Sequence, residues 1–123
     1  MGKRVMIIDD DKEFLEELNE TLVASGYEVV TVNDATLALD MTSKMKPDVI
    51  LLDLNMPRQS GFEVAVELKY FSDQNHVPII AMTGFYKDDA YQSLVHLCGI
   101  QKCLKKPLNP AEIIAQIEGY CIN

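Results

Sequence analysis

Val49-Ile50-Leu51-Leu52-Asp53-Leu54-Asn55-Met56-Pro57, closed by Gly61, is the stretch whose reading decides the fold. Its four leading apolar residues read as a strand buried on both faces, the kind found inside a parallel sheet. Asp53 appears where that strand ends, and Pro57 bars a central strand from continuing. Asp53 is thereby set on the carboxyl edge of a sheet, where open α/β folds carry their chemistry. Taken alone, an aspartate there can equally be the cap of the next helix.

Working outward, strand-like and helix-like runs alternate five times, which is the pattern of an α/β fold with a parallel sheet. The first strand, Val5 to Ile8, leads into a helix from about Asp11 to Ala24. That helix carries Phe14, Leu18 and Leu22 on one stripe and Glu13, Glu17 and Glu20 away from it, with Gly26 as its C′ residue. The second strand, Glu28 to Val32, precedes a helix from about Asp34 to Met45 with Ala38, Met41 and Met45 facing inward. The third strand is the opening stretch, and its helix runs from about Gly61 to Phe71 on a buried face of Val64, Leu68 and Phe71. Val77 to Met82 forms the fourth strand, followed by a helix from about Asp88 to Leu97. Ile100 to Leu104 forms the fifth strand. The last helix starts with Asn109 as N-cap, Pro110 at N1 and Glu112 at N3, and Ile113, Ile117 and Tyr120 give it one apolar side.

Strands one, three and four are almost wholly apolar and belong at the centre of the sheet. Strands two and five carry polar residues and suit its edges. The expected architecture is therefore a doubly wound, five-stranded parallel sheet in the order 2-1-3-4-5, flanked by five helices, as in flavodoxin-like folds.

At 123 residues and 48% hydrophobic, the chain is expected to form one soluble domain over residues 1–123, with enough apolar mass for a sizeable core. No internal repeat, low-complexity tract or transmembrane-length apolar run interrupts it. The start, Met1-Gly2-Lys3-Arg4-Val5, runs directly into an apolar strand and has no signal-peptide h-region. Cys98, Cys103 and Cys121 lack C-x-x-C spacing, which argues for a reducing compartment and against a disulfide framework or a zinc site. A cytoplasmic location is expected. The net charge of −8 argues against direct binding of nucleic acid or anionic membrane.

In a parallel sheet, equivalent strand ends meet at one edge. Asp9-Asp10-Asp11, Asp53, Thr83-Gly84 and Lys105-Lys106-Pro107 are therefore expected as neighbours, although far apart in sequence. Crowded carboxylates repel unless a cation joins them. Hard oxygen ligands without His or Cys select Mg²⁺, with Mn²⁺ as a substitute, over zinc. A lysine and a hydroxyl at the same edge complete a site for a phosphoryl group.

This constellation resembles the receiver domain of two-component response regulators, over essentially the whole chain from Lys3 to about Tyr120. The resemblance rests on the acidic pair after the first strand, the D-x-x-M-P-x-x-x-G run from Asp53 to Gly61, Thr83, and Lys106-Pro107. It implies that Asp53 accepts a phosphoryl group from a phosphohistidine of a sensor histidine kinase or phosphotransfer protein. It implies that Asp9, Asp10, Asp53 and the backbone carbonyl of Asn55 bind Mg²⁺, that Lys106 pairs with the phosphoryl oxygens, and that Thr83 moves to hydrogen-bond them. Gly84 would leave the site open to the donor, and the Lys106–Pro107 bond would be cis. The phosphorylated chain would then switch its contacts with an effector protein or tethered output domain, or form a homodimer, through the face of the fourth helix, fifth strand and fifth helix. Tyr91, Leu94 and Lys102 belong to that face.

Asp11 reads as a helix cap and not as a ligand, Lys105 as a solvated neighbour, and His76 and His96 as structural or surface residues. Phe85, Tyr86 and Tyr91 read as packing or partner surface. The chain departs from the family at Cys103, where a Tyr or Phe usually changes rotamer on activation. Output is therefore expected to rely on backbone shifts near Thr83 to Lys87 or on another aromatic such as Phe85. Asn55 and Phe85 pull the acyl-phosphate lifetime in opposite directions, one able to position water and the other to exclude it. Two rival readings remain at this point. Asp9-x-Asp11 after an apolar strand is also similar to haloacid-dehalogenase-type phosphatases, with Asp9 as nucleophile, although Lys12 stands where a Thr or Val is usual. The other rival is a binding module that makes no use of phosphate.

Overall fold

β1 (Arg4–Ile8), β2 (Glu28–Val32), β3 (Val49–Asp53), β4 (Ile79–Thr83) and β5 (Lys102–Lys105) form one parallel sheet in the order β2-β1-β3-β4-β5. The computed structural model describes residues 3–57, 59–84 and 89–120, with side chains throughout except at 89–91. Among the described residues four helices connect the strands, α1 (Lys12–Ala24), α2 (Ala38–Met45, after a 3₁₀ turn at Ala35–Leu37), α3 (Gly61–Asn75) and α4 (Asp89–Leu97), and α5 (Pro110–Tyr120) follows β5. Fold class and strand order agree with the sequence reading.

The reason lies in burial. Every residue of β3 and β4 is buried, whereas β2 and β5 expose part of their length. Successive side chains of a strand point to opposite faces, and the two faces are covered separately. Met6, Ile8, Ile50, Leu52, Ile79 and Ala81 pack against the helices of one layer through Ala38, Val64, Leu68 and Val95. Val5, Ile7, Val49, Leu51, Ile80 and Met82 pack against α1 and α5 through Leu15, Leu18, Leu22, Ile113 and Ile117. Each fully buried Ile or Leu contributes about 1.5–3 kcal/mol relative to exposure, which makes the two-sided strands the main source of cohesion.

Opposite the carboxyl edge, Arg4 ties several elements together. Its backbone N–H donates to Asp48 Oδ2 at 2.7 Å, and its carbonyl accepts from the Asp48 N–H at 2.7 Å, which fixes β1 against the start of β3. Its guanidinium pairs with Glu28 on β2 at 2.9 Å and donates to the carbonyl of Met45 at the end of α2.

Caps fix the helix starts. Asp11 Oδ1 accepts from the N–H groups of Glu13 and Phe14 at 3.1 and 3.2 Å. Ser60 accepts from Phe62 N–H at 3.1 Å, and Asn109 from Ala111 N–H at 2.9 Å. Gly26 follows α1 with φ of 96°, as its C′ role requires.

Several boundaries and faces differ from expectation. On α1 the buried stripe is Leu15, Leu18 and Leu22, while Phe14 is half-buried at its margin. On α2 the buried residues are Ala38 and Thr42, and Met41 and Met45 pack at the margin. Thr42 is tolerated there because its hydroxyl donates to the Ala38 carbonyl at 2.7 Å. Helix α3 runs on to Asn75 and stops at His76, which takes a left-handed conformation with φ of 55°. Ser72 is buried within that extra turn, and its hydroxyl donates to the Val77 carbonyl. β4 begins at Ile79 because Pro78 cannot donate to a ladder. β5 begins at Lys102, and Tyr120 lies at the exposed end of α5.

Gly61 has a purely steric reason to be glycine. Its N–H donates to the Leu54 carbonyl at 3.2 Å, and a Cβ built on it would meet Leu54 Cα at 2.5 Å and the Asp53 carbonyl carbon at 2.9 Å. Gly119, by contrast, has nothing within 4 Å of such an atom. In urea unfolding, Gly61→Ala is expected to lose about 2–4 kcal/mol by forced backbone displacement. Gly119→Ala is expected to gain about 0.5–1 kcal/mol from helix propensity.

Candidate functional site

Each of the strand-end residues singled out in the sequence arrives at the carboxyl edge by the same device, a strand that stops. Asp9 directly follows β1, and its N–H donates to the Val32 carbonyl at 3.1 Å, extending the β1–β2 ladder by one bond. Asp53 is the last residue of β3 and Thr83 the last of β4. Lys106 directly follows β5; its N–H donates to the Thr83 carbonyl at 2.7 Å, and its bond to Pro107 is cis, as expected.

Asp9 is fully buried and Asp53 is 4% exposed, whereas Asp10 is exposed. Lys106 Nζ lies 2.9 Å from Asp9 Oδ2 and 3.7 Å from Asp53 Oδ1, so one ammonium serves two buried carboxylates. Backbone donors add to this: Asp11 N–H reaches the other Asp9 oxygen, Oδ1, at 3.0 Å, and Asn55 N–H reaches the same Asp53 Oδ1 that faces Lys106, at 3.1 Å. The Thr83 hydroxyl is buried at the same corner and donates to Asn55 Oδ1 at 2.8 Å.

Burial raises the Asp53 carboxyl from its ordinary 3.8 to about 6. The Asn55 N–H and the Lys106 charge oppose this rise, while the Asp9 charge and a hydrogen bond shared with Asp9 add to it. The cluster is short of positive charge. Asp9, Asp10 and Asp53 each offer an oxygen within 4.8 Å of the others, and among the described residues no His or Cys shares this group. That donor set fits a hard divalent cation of the Mg²⁺ type.

The structure brings together Asp9, Asp10, Asp53, Asn55, Thr83 and Lys106. Asp11 is the α1 cap, Lys105 is exposed, and His76 and His96 lie exposed away from the edge, all as expected. Gly84 is exposed, and among the described residues nothing lies within 4 Å of where a Cβ would stand. Beside Asp10 a recess of about 350 Å³ opens between Asn33-Asp34 and Met56-Pro57. Cys103 is half-buried and packs against the core layer that holds α4. The expectations for Phe85, Tyr86, Lys87, the Tyr91 side chain and Cys121 lie outside the described residues.

Two contacts went unread in the sequence. Lys106 Nζ stands over the Phe14 ring, 4.3 Å from its centroid. The Asn55 amide, weighed only for water positioning and its backbone carbonyl, also holds the Thr83 hydroxyl. The sequence signal for Phe14 is its place in the first turn of the helix that follows the acidic pair. That turn must lie near whatever the pair binds.

With this geometry, comparison with known proteins is decisive. The response regulator receiver domain model matches residues 5–118. The polar-differentiation response regulator DivK of Brucella anthropi is 33% identical over 121 residues, covering 98% of this chain and 97% of the relative. The DivK of Brucella ovis matches with the same identity and coverage. Among solved structures, the Vibrio cholerae chemotaxis protein CheY4 superposes with a TM-score of 0.89 at 28% identity, covering 98% of this chain and 99% of that one. A CheY-like receiver domain from Methanospirillum hungatei shares the fold with a TM-score of 0.89 at 24% identity, covering 98% and 94%. The chain belongs to the response regulator receiver domain family. Neither the phosphatase reading nor the phosphate-independent module is favoured by these matches.

A carboxyl whose proton affinity is raised on folding stabilises the fold below its unfolded value near 3.8, and that contribution is lost as pH rises through about 6. Asp53→Asn keeps the shape and stays neutral. Without divalent cations it is expected to be more stable than wild type by about 1–3 kcal/mol at pH 7.5. The advantage should vanish as pH falls toward 4, and urea unfolding in chelator across this range checks both parts.

Proposed function

We propose that residues 1–123 act as one receiver module in which Asp53 is the phosphoacceptor and Lys106 the phosphoryl-binding cation. The observation that carries this reading is the convergence of Asp9, Asp53 and Lys106, with Nζ at 2.9 Å from one buried carboxylate and 3.7 Å from the other. An Asp53 oxygen attacks the phosphorus of a phosphohistidine; the O–P bond forms as the N–P bond breaks, and the imidazole leaves with its electron pair. The product is an acyl phosphate on Asp53.

Asp9, Asp10, Asp53 and the Asn55 carbonyl are the residues that would hold Mg²⁺. When bound it supplies the charge screening without which an anionic carboxylate does not approach an anionic phosphoryl group. The remaining work belongs to the chain. Lys106 exchanges Asp9 for a phosphoryl oxygen, and its backbone bond to Thr83 keeps the lysine and the hydroxyl in register. Thr83 leaves Asn55 Oδ1 and donates to the phosphoryl group instead. Its departure frees the Asn55 amide, which then stands next to the acyl phosphate.

The domain works as a cytoplasmic signalling switch that catalyses its own phosphorylation and dephosphorylation. Its partners are a sensor histidine kinase or phosphotransfer protein and an effector, with no direct nucleic-acid contact. Among the described residues no helix is long and apolar enough to cross a membrane. The face of α4, β5 and α5 is the proposed contact surface for an effector or second copy. Leu94 and Leu97 of α4 are 44% and 76% exposed, and Lys102 of β5 is exposed and lines a recess with Gln92, Val95 and His96 of α4.

Intact mass after incubation with a small phosphodonor is expected to show one Mg²⁺-dependent phosphoryl adduct, absent in Asp53→Asn. An adduct that persists in that variant would transfer the nucleophile's role to Asp9. Removing the competing ammonium with Lys106→Met is expected to tighten Mg²⁺ binding by about three- to tenfold in calorimetry while slowing adduct formation.

A further inference from the structure

Phe14 sits where core packing does not require an aromatic residue. Leu15, its neighbour, takes the buried position on α1, and Phe14 is left at the margin of the α1–α5 layer. Its ring nevertheless carries the Lys106 ammonium 4.3 Å from the centroid, within the range of a cation–π contact. We propose that Phe14 is a positioning residue of the phosphoryl site, holding the Lys106 ammonium on its ring face so that it stays within reach of Asp9 and Asp53. This rests on the reading of Lys106 as the phosphoryl-binding cation.

The argument begins with the lysine. Its backbone is fixed by the bond to Thr83, but four methylenes separate Cα from the charge, and the side chain is 25% exposed. A flexible stem of that kind has many rotamers that lead to solvent. An ammonium has three N–H bonds. The carboxylates of Asp9 and Asp53 lie at 2.9 and 3.7 Å, and the Phe14 ring takes a further side. Phe14 has only two side-chain torsions and packs against the buried layer, so its ring is a firm platform. Its place in the first turn is set in turn by the Asp11 cap, which accepts from the Phe14 N–H itself at 3.2 Å.

The ring matters most during the exchange of partners. Lys106 must release Asp9 before it meets a phosphoryl oxygen, and the negative ring face attracts the ammonium throughout. An aliphatic side chain of similar bulk fills the same space without that attraction. The cap at Asp11 thus feeds into the chemistry, since it aims the residue that aims the lysine.

The test compares wild type, Phe14→Leu and Phe14→Tyr at saturating Mg²⁺ with phosphoramidate as donor. Phe14→Leu is expected to lower the limiting phosphorylation rate by about three- to tenfold, with donor half-saturation unchanged, and Phe14→Tyr to stay within about twofold of wild type. A second readout needs no activity. The ε-methylene NMR resonances of Lys106 should be shifted upfield by the ring in wild type and Phe14→Tyr, and return to ordinary positions in Phe14→Leu. A Leu variant at wild-type rate, or Leu and Tyr variants slowed alike, would overturn the proposal, as would unshifted Lys106 resonances in wild type. If wild type itself takes no phosphoryl group, the receiver chemistry fails, and the ring shift alone decides the placement of Lys106.

Discussion

Two carboxylates taken out of water and given one ammonium between them set the terms for this molecule. Asp9 has no exposed surface and Asp53 almost none, and Lys106 reaches both. Buried charge is tolerated only when paired and hydrogen-bonded. Here one ammonium faces two carboxylates, and burial, with the Asp9 charge adding to it, raises the proton affinity of Asp53. With Asp10 close by, the oxygens at this corner form a donor set that fits a hard divalent cation.

The sheet is built so that this cost falls on one edge. β3 and β4 are buried along their whole length and hold the strand ends in place regardless of the charges on them. The backbone bonds from Asp9 to Val32 and from Lys106 to Thr83 continue the ladder into the site. The charged side chains therefore depart from positions fixed by the sheet.

Much of this was legible in the sequence because the signals are strong where the physics is simple. A run such as Val49-Ile50-Leu51-Leu52 has few homes other than a two-sided strand, and the polar residues of β2 and β5 mark edges. Once the order is fixed, topology alone gathers Asp9, Asp53, Thr83 and Lys106. Helix faces were less legible. Phe14, Leu18, Leu22 and Leu15, Leu18, Leu22 both fit a 3.6-residue period, and only the packing of α5 against α1 decides between them. Thr42 and Ser72 were missed as buried residues because a hydroxyl that bonds a nearby carbonyl is indistinguishable in sequence from one in water. The length of α3 was underestimated because nothing in Ser72-Asp73-Gln74-Asn75 forbids or demands a helix; the stop comes from His76 and Pro78. Partner choices such as Asn55 to Thr83 depend on side-chain torsions that no spacing rule encodes.

Arg4, at the amino edge, has a consequence for how the domain breathes. Its bonds to Asp48, Glu28 and Met45 join β1, β2, the end of α2 and the start of β3 at the side farthest from the charged cluster. Elements tied through one residue open together and not one at a time. The amino edge is therefore expected to loosen as a unit, with the backbone amides of Arg4 and Asp48, which bond each other's residues, exchanging at a common rate.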